Sequence, residues 1–557
     1  MSQTNMKKNI SMTWLLPMVM AAVALMLTST AHAAAPGITG TNFSLIAQPA
    51  YISQPDGQSI YSWGYGCASD MTPTFAPKPG GNNLVNANCS SMQIPGPTLI
   101  VTEGVPITVK LTNGLPASAG NTSILFPGFT VTPVAPTGVP GLLTQEAAPG
   151  GSVTYTLTGG TAGTHSYYSG TQGDLQIEMG LYGAIIVLPR TIPAACTSGL
   201  AAANLAVEAN WHESDFRLAP AAYDHAKACY DREYLFQFSE MDPNIHTQAE
   251  AQVLDPTRAA ACTKGPTTPG CSLDVPTEPY HPAYFMINGR SMPDDMDPNY
   301  MPAYPHQPYN GNPHMHPGEQ VLLRIIGQGR WQHPFHEHGN HVRILGRDGN
   351  LIVSQTDPNA LAGPLLFTTT TTPGLAMDGI FYWTGKGLNW DAYGHTPNSK
   401  TNDPNASLAC VPDANGYNTG VAAQSQINYY EWCQDHDKPV QAFPFGDVAN
   451  GGPITLPDPN IFTNGAWFGG SPYLGPDATS RATAGTCSGS GNSTLCKTTG
   501  VTPPSGTIGN SPSAEAGFAF MWHSHNEREI TTNNAFPGGM MMMMLVDSRE
   551  FVIDESN

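Results

Sequence analysis

Two histidine clusters carry spacing with evident chemistry. The first reads Trp331-Gln332-His333-Pro334-Phe335-His336-Glu337-His338-Gly339-Asn340-His341. The second reads Met521-Trp522-His523-Ser524-His525, with Gly538-Gly539-Met540 some way behind. In an extended strand, residues two apart project from the same face. His336 with His338, and His523 with His525, therefore each present two imidazoles on one side. Two such H-x-H strands packed together offer up to four nitrogens around one point, and imidazole is the usual biological ligand for copper and zinc. A single histidine is most often a satisfied core or surface residue; two H-x-H pairs in one segment point to metal binding.

The elements that must position these residues are strands. PTLIVTEG (97–104) and PITVKLTNG (106–114) alternate apolar and polar residues between turn-forming ends, and SVTYTLTGG and GLYGAIIVLP follow. A second series opens with EYLFQFSEMD and runs through YFMINGRS, EQVLLRIIGQG, HVRILGRDG, GIFYWTGKG and FAFMWHSH to the methionine run at 540–544. With 58 Gly and 51 Pro and no long helical periodicity, the chain reads as all-β, with two β-sandwich domains at 34–190 and 231–557. Residues 191–230 form a connector with a short helix near AAYDHAKACY, and a Gly/Asn/Pro/Ser/Thr-rich insertion occupies about 390–515. Thioethers bind Cu(I), yet the Met540–Met544 run fits an apolar central strand better. The segment from Met292 to His316 mixes methionine and histidine without fixed spacing, as an ordinary Pro-rich loop does.

Lys7 and Lys8, an apolar run from Met12 to Leu27, and Ala31-His32-Ala33 form the pattern of a secretory signal peptide cleaved after Ala33, covering 1–33. The apolar run is short for a bilayer core, so no membrane span is expected. Ten cysteines suit an oxidising compartment, periplasmic or extracellular. The simplest pairing joins neighbours: Cys67–Cys89, Cys196–Cys229, Cys262–Cys271, Cys410–Cys433 and Cys487–Cys496. None has zinc or redox spacing. A formal net charge of −20 repels nucleic acid and anionic membranes.

The clusters make the resemblance specific. HPFHEHGNH resembles the third copper motif of the multicopper oxidases, H-P-x-H-L-H-G-H. WHSH with its later GGM resembles the fourth, H-C-H-x3-H-x4-M. YFMINGRSMP before GEQVLLRII is similar to the approach to motif three, PGPTLIVTEGVPITVKLTN to the first-domain opening, and QGDLQIEMGLYGAIIVLP to the strand after motif two. The resemblance covers most of 90–190, 230–385 and 515–550, and implies tandem cupredoxin-like Greek-key β-sandwiches with long disulfide-stapled loops. It implies copper as cofactor and an oxidoreductase activity.

Departures from the family pattern reduce that expectation. The first motif, H-W-H-G, falls on Leu125-Phe126-Pro127-Gly128, and the second, W-Y-H-S-H, on Ser166-Tyr167-Tyr168-Ser169-Gly170. In the fourth, the cysteine position is Ser524 and the next histidine position falls on Glu529. A blue copper needs a thiolate and two imidazoles, so none is expected. His333 remains as a metal ligand of that centre, with Met540 as an axial sulfur. Of the eight trinuclear-cluster histidines, His336, His338, His523 and His525 remain, with His165 a candidate helper. Ordinary laccase turnover is therefore not expected. Three readings stay open: a divergent oxidase with a partial copper complement, a non-catalytic cupredoxin scaffold, and a periplasmic copper-sequestering protein. Kinship with two-domain members implies a homotrimer, with Leu125, Phe126 and Pro127 as an apolar lid over a neighbour's histidines. The sequence names no substrate or electron partner.

Overall fold

The computed structural model describes residues 35–387, apart from 77–86, 135–136 and positions 212 and 216. It also describes 410–436 without 426–427, the strand backbones at 470–474, 486–488 and 495–497, and 516–547 with positions 549 and 553. The expected signal peptide and most of the expected insertion lie outside the described residues.

Residues 37–188 form a sandwich of two five-stranded sheets. One has the order Gly163–Tyr168, Tyr182–Leu188, Leu99–Thr102, Gly37–Thr39, Thr74–Ala76. The other runs Ser59–Cys67, Asn42–Ser53, Ile107–Asn113, Ser152–Thr158, Thr130–Pro133. Alternation does the work in the second sheet: Ile107, Val109 and Leu111 meet Val153, Tyr155 and Leu157 in the core, while Thr108, Lys110 and Thr112 face outward. Parallel pairing of Leu99–Thr102 with Tyr182–Leu188 gives the crossed connectivity of a Greek key.

A second sandwich holds both histidine clusters. Its first sheet orders Tyr284–Ile287, Arg232–Met241, Gln320–Gly327, Ala376–Tyr382, Val342–Arg347 and Asn350–Leu351. Its second sheet orders His314–Met315, Met541–Asp547, Ala516–Ser524, His333–Glu337 and Thr368–Thr371. Phe236, Phe238, Leu323, Ile325 and Phe381 from one sheet pack on Phe335, Phe518, Phe520 and Trp522 from the other. Met540, Met542 and Met544 are fully buried in the same core, so that methionine run is packing.

The two sandwiches meet across sheet faces. Ile185 and Val187 point into the first core, while Ala184 and Ile186 pack with Leu235, Ile326 and Ala376 of the second sandwich. That explains why GAIIVL is apolar on both faces. Polar cross-links complete the seam. Arg324 Nη1 donates to Thr164 Oγ1 at 3.2 Å, and Thr164 Oγ1 donates to Asp378 at 2.5 Å. Four nearest-neighbour disulfides join Cys67–Cys89, Cys196–Cys229, Cys262–Cys271 and Cys410–Cys433. The fifth expected pair, Cys487 and Cys496, lies outside the residues whose side chains are described. Among the described residues, no helix is long and apolar enough to cross a membrane.

Candidate metal centre

The strands His333–Glu337 and Ala516–Ser524 run antiparallel, with His336 opposite His523, Phe335 opposite Ser524 and Glu337 opposite Trp522. Side-chain alternation then sorts the residues. Phe335, Glu337 and Trp522 point inward and are fully buried; His336, His338, His523 and His525 gather on the other face. Ring centroids lie 4.8 Å apart for His336–His338 and for His336–His525. They lie 5.6 Å apart for His336–His523, 5.2 Å for His338–His523 and 5.4 Å for His523–His525. Gly339, at φ 99°, turns the chain immediately after His338, where a side chain would press on Phe520. Trp522 Nε1 donates to the His338 carbonyl at 2.9 Å and fixes that end of the strand from the core side.

Hydrogen bonds set the orientation of three of the rings. His523 Nδ1 lies 2.8 Å from the Ser524 carbonyl oxygen, which can only accept, so Nδ1 carries the proton and Nε2 keeps its lone pair. That Nε2 lies 3.3 Å from His338 Nε2. Two nitrogens bound at ~2.0 Å to one ion at a tetrahedral angle would be roughly 3.3 Å apart. His336 Nδ1 is hydrogen-bonded to Thr368 Oγ1 at 2.7 Å. Burial, and then the charge that would fall on His338, His523 and His525, pushes the His336 pKa down to about 4. Burial lowers that of His523 as well. Neutral imidazoles with free lone pairs are the ligand form. His525 and Phe367 reach solvent at the rim, and the Phe367 ring lies 5.7 Å from that of His336.

His333 is placed differently from the expectation. It starts the same strand but turns into the core, where it is fully buried. Its Nδ1 lies 2.8 Å from Glu529 Oε2 and its Nε2 3.0 Å from Glu240 Oε2. Both ring nitrogens are thus engaged by carboxylates, leaving no lone pair for a metal. Burial opposes charge on this ring, but the bonds to Glu240 and Glu529 override it and hold the pKa up at about 9. Ser524 Oγ donates to the same Glu529 carboxylate. Serine, two carboxylates and a doubly bonded imidazole lack the thiolate and paired imidazoles of a blue copper, so the residues present do not fit that centre. Met540 is fully buried in the core next to it.

His165 and the first-sandwich positions stand apart from the four imidazoles. His165 packs 5.1 Å from Phe129 and bonds the Thr161 carbonyl at 2.8 Å. Phe126, expected in a lid, is buried in the first core against Tyr155 and Tyr167. Leu125 and Tyr168 instead border a groove of about 530 Å³ together with Pro127, Leu142 and Leu143. His306, His314 and His316 from the Met292–His316 segment each bond protein oxygens. Glu240 was the residue that sequence reasoning missed. It sits in EYLFQFSEMD, and a carboxylate in a strand otherwise fit for burial was the available signal. Among the described residues, the three metal-type donors whose ligand atoms lie within 4.8 Å of one another are Glu213, His316 and Glu319, but Arg232 bridges both glutamates as an ion pair.

Comparison with known proteins gives the chain its relatives. The sequence profile of a multicopper oxidase domain matches residues 79–192. Laccase abr2 of Aspergillus fumigatus is 40% identical over 100 residues, 18% of this chain and 16% of that protein. Multicopper oxidase MCE of Talaromyces pinophilus is 36% identical over 100 residues, with the same coverages. The matched stretch thus spans about a sixth of these relatives' length. Among solved structures, a blue copper oxidase from Nitrosomonas europaea aligns over 91% of this chain and 85% of its own, at TM-score 0.42 and 14% identity. A multicopper oxidase, mgLAC, aligns over 61% and 74% at TM-score 0.37 and 18% identity. Residues 79–192 of this chain are thus similar to a multicopper oxidase domain, and they fall within the first β-sandwich and the segment that follows it.

Proposed function

We propose that this chain is an exported copper-binding oxidoreductase of the multicopper oxidase type, in which His336, His338, His523 and His525 hold a partial copper complement and no blue copper is present. The observation that carries the reading is the convergence of four imidazoles from two paired H-x-H strands, with the Nε2 atoms of His338 and His523 3.3 Å apart. Bound copper would supply one-electron redox chemistry and a preference for imidazole. The chain's own residues do the rest. Thr368 and the Ser524 carbonyl hold the rings of His336 and His523, Trp522 holds the His338 backbone, and Phe367 shields one side. Cleavage after Ala33 would deliver the chain to the periplasm or outside the cell.

A second reading, copper sequestration without turnover, is favoured by the Glu240–His333–Glu529 arrangement, which leaves no blue centre to accept electrons from a substrate. Assembly as a homotrimer belongs to the same proposal, with the groove at Leu125, Leu142, Leu143 and Tyr168 facing a neighbour's histidines. Cu(II) titration of the purified mature chain, with oxygen uptake in the presence of a phenolic reductant, tests these readings. Binding with uptake supports the oxidoreductase, binding without uptake supports sequestration, and no binding leaves a cupredoxin scaffold.

A further inference from the structure

The place that a blue copper would occupy is filled by a connected set of protein groups. Glu240 comes from the strand Arg232–Met241, His333 from the strand of the first histidine cluster, and Glu529 from the loop after the second. Ser524, between His523 and His525, donates to Glu529. Carboxylates accept hydrogen bonds, so a ring bonded through both nitrogens to two of them must donate from both. Other groups orient the carboxylates. Glu240 Oε1 accepts from the backbone amides of Arg330 at 2.6 Å and Trp331 at 2.8 Å. Asn526 Nδ2 donates to Glu529 Oε1 at 2.8 Å. Tyr280 Oη reaches Glu240 at 3.3 Å and donates to Glu178 of the first sandwich at 2.6 Å, with the Arg330 guanidinium 4.1 Å above its ring.

We infer that a doubly protonated His333, clamped between Glu240 and Glu529, takes the structural place of the missing blue copper and positions Ser524, and through it His523 and His525. The imidazolium joins the strand His333–Glu337 and the loop carrying Glu529 to the strand Arg232–Met241. His333, Glu240 and Glu529 are positioning residues for the four-histidine site, and this role rests on the copper-binding reading above. Partners that orient metal ligands are commonly worth about 10–100-fold in affinity.

The test uses the full mature chain. Cu(II) affinity, measured against a competing chelator, and the Cu(II) electron paramagnetic resonance spectrum are compared for wild type, His333→Gln, Ser524→Ala and the double variant, each checked for folding by circular dichroism. His333→Gln is expected to weaken Cu(II) binding about tenfold or more and to change the hyperfine splitting. Ser524→Ala, which removes one hydroxyl, should move both readouts in the same direction. The double variant should bind no more weakly than His333→Gln, because both act through one contact. Independently of copper, nitrogen-15 spectra of the metal-free chain at neutral pH should show His333 with two N–H groups. A His333 with one bare nitrogen overturns the inference, as does a folded His333→Gln or Ser524→Ala with wild-type affinity and spectrum. If wild type binds no Cu(II), the proposed function fails while the nitrogen spectra still report on the clamp.

Discussion

Replacing His333 by glutamine should change not only the stability of the protein but how that stability depends on pH. The ring is fully buried between two carboxylates, and its pKa stands at about 9 against an ordinary 6.5. That difference corresponds to about 3 kcal/mol of favourable interaction for the charged form. Because the folded value lies above the unfolded one, the contribution is complete below pH 6.5 and is lost as pH rises through 9. Glu178, pushed up to about 8 by burial, also titrates in this window. The useful quantity is therefore the difference between wild type and variant, in which contributions common to both cancel. Urea unfolding at intervals from pH 6 to 10 measures it. His333→Gln should be the less stable protein near pH 6.5, by about 3 kcal/mol or more, because it leaves Glu240 and Glu529 facing each other without a cation. The gap should close by about 3 kcal/mol on approaching pH 10. Parallel pH profiles for the two proteins would refute the reasoning and mean that His333 is neutral in the fold.

Three further outcomes follow from named contacts. Ser524→Cys should give no intense thiolate-to-copper absorption after Cu(II) loading, because His333 is held by carboxylates and Glu529 stands where a second imidazole is needed; visible spectroscopy reads this directly. Phe126→Ala should cost about 3–5 kcal/mol of stability as a core cavity and leave sedimentation unchanged, since the ring packs on Tyr155 and Tyr167 rather than on a neighbour. Arg232→Met should destabilise by about 3–5 kcal/mol in denaturant unfolding, because it strips Glu213 and Glu319 of their shared buried cation.

Much of this architecture was legible from period-two patterning. The alternation in PITVKLTNG and SVTYTLTGG marks one core face, and both H-x-H pairs place their imidazoles on one side for the same reason. Their convergence depends on register, His336 opposite His523, which no local pattern in either strand specifies. His333 illustrates the harder limit. The resemblance implied a ligand, but the ring's surroundings are set by Glu240, 93 residues earlier, and Glu529, 196 residues later. Phe126 was misread for a related cause. Three apolar residues in a row, at 125–127, do not reveal which one turns inward. The bridge between Leu125 and Tyr168 leaves Leu125 at the groove and directs Phe126 to the core.

The central claim is that four histidines hold copper in a site that is not blue. Metal analysis together with electron paramagnetic resonance on the purified mature chain tests it most directly. The account predicts about one copper per chain, a Cu(II) signal with the large hyperfine splitting of nitrogen ligation and no thiolate band, and loss of both metal and signal in His336→Ala and His523→Ala. A chain that binds no copper, or that keeps it in both variants, would contradict the account.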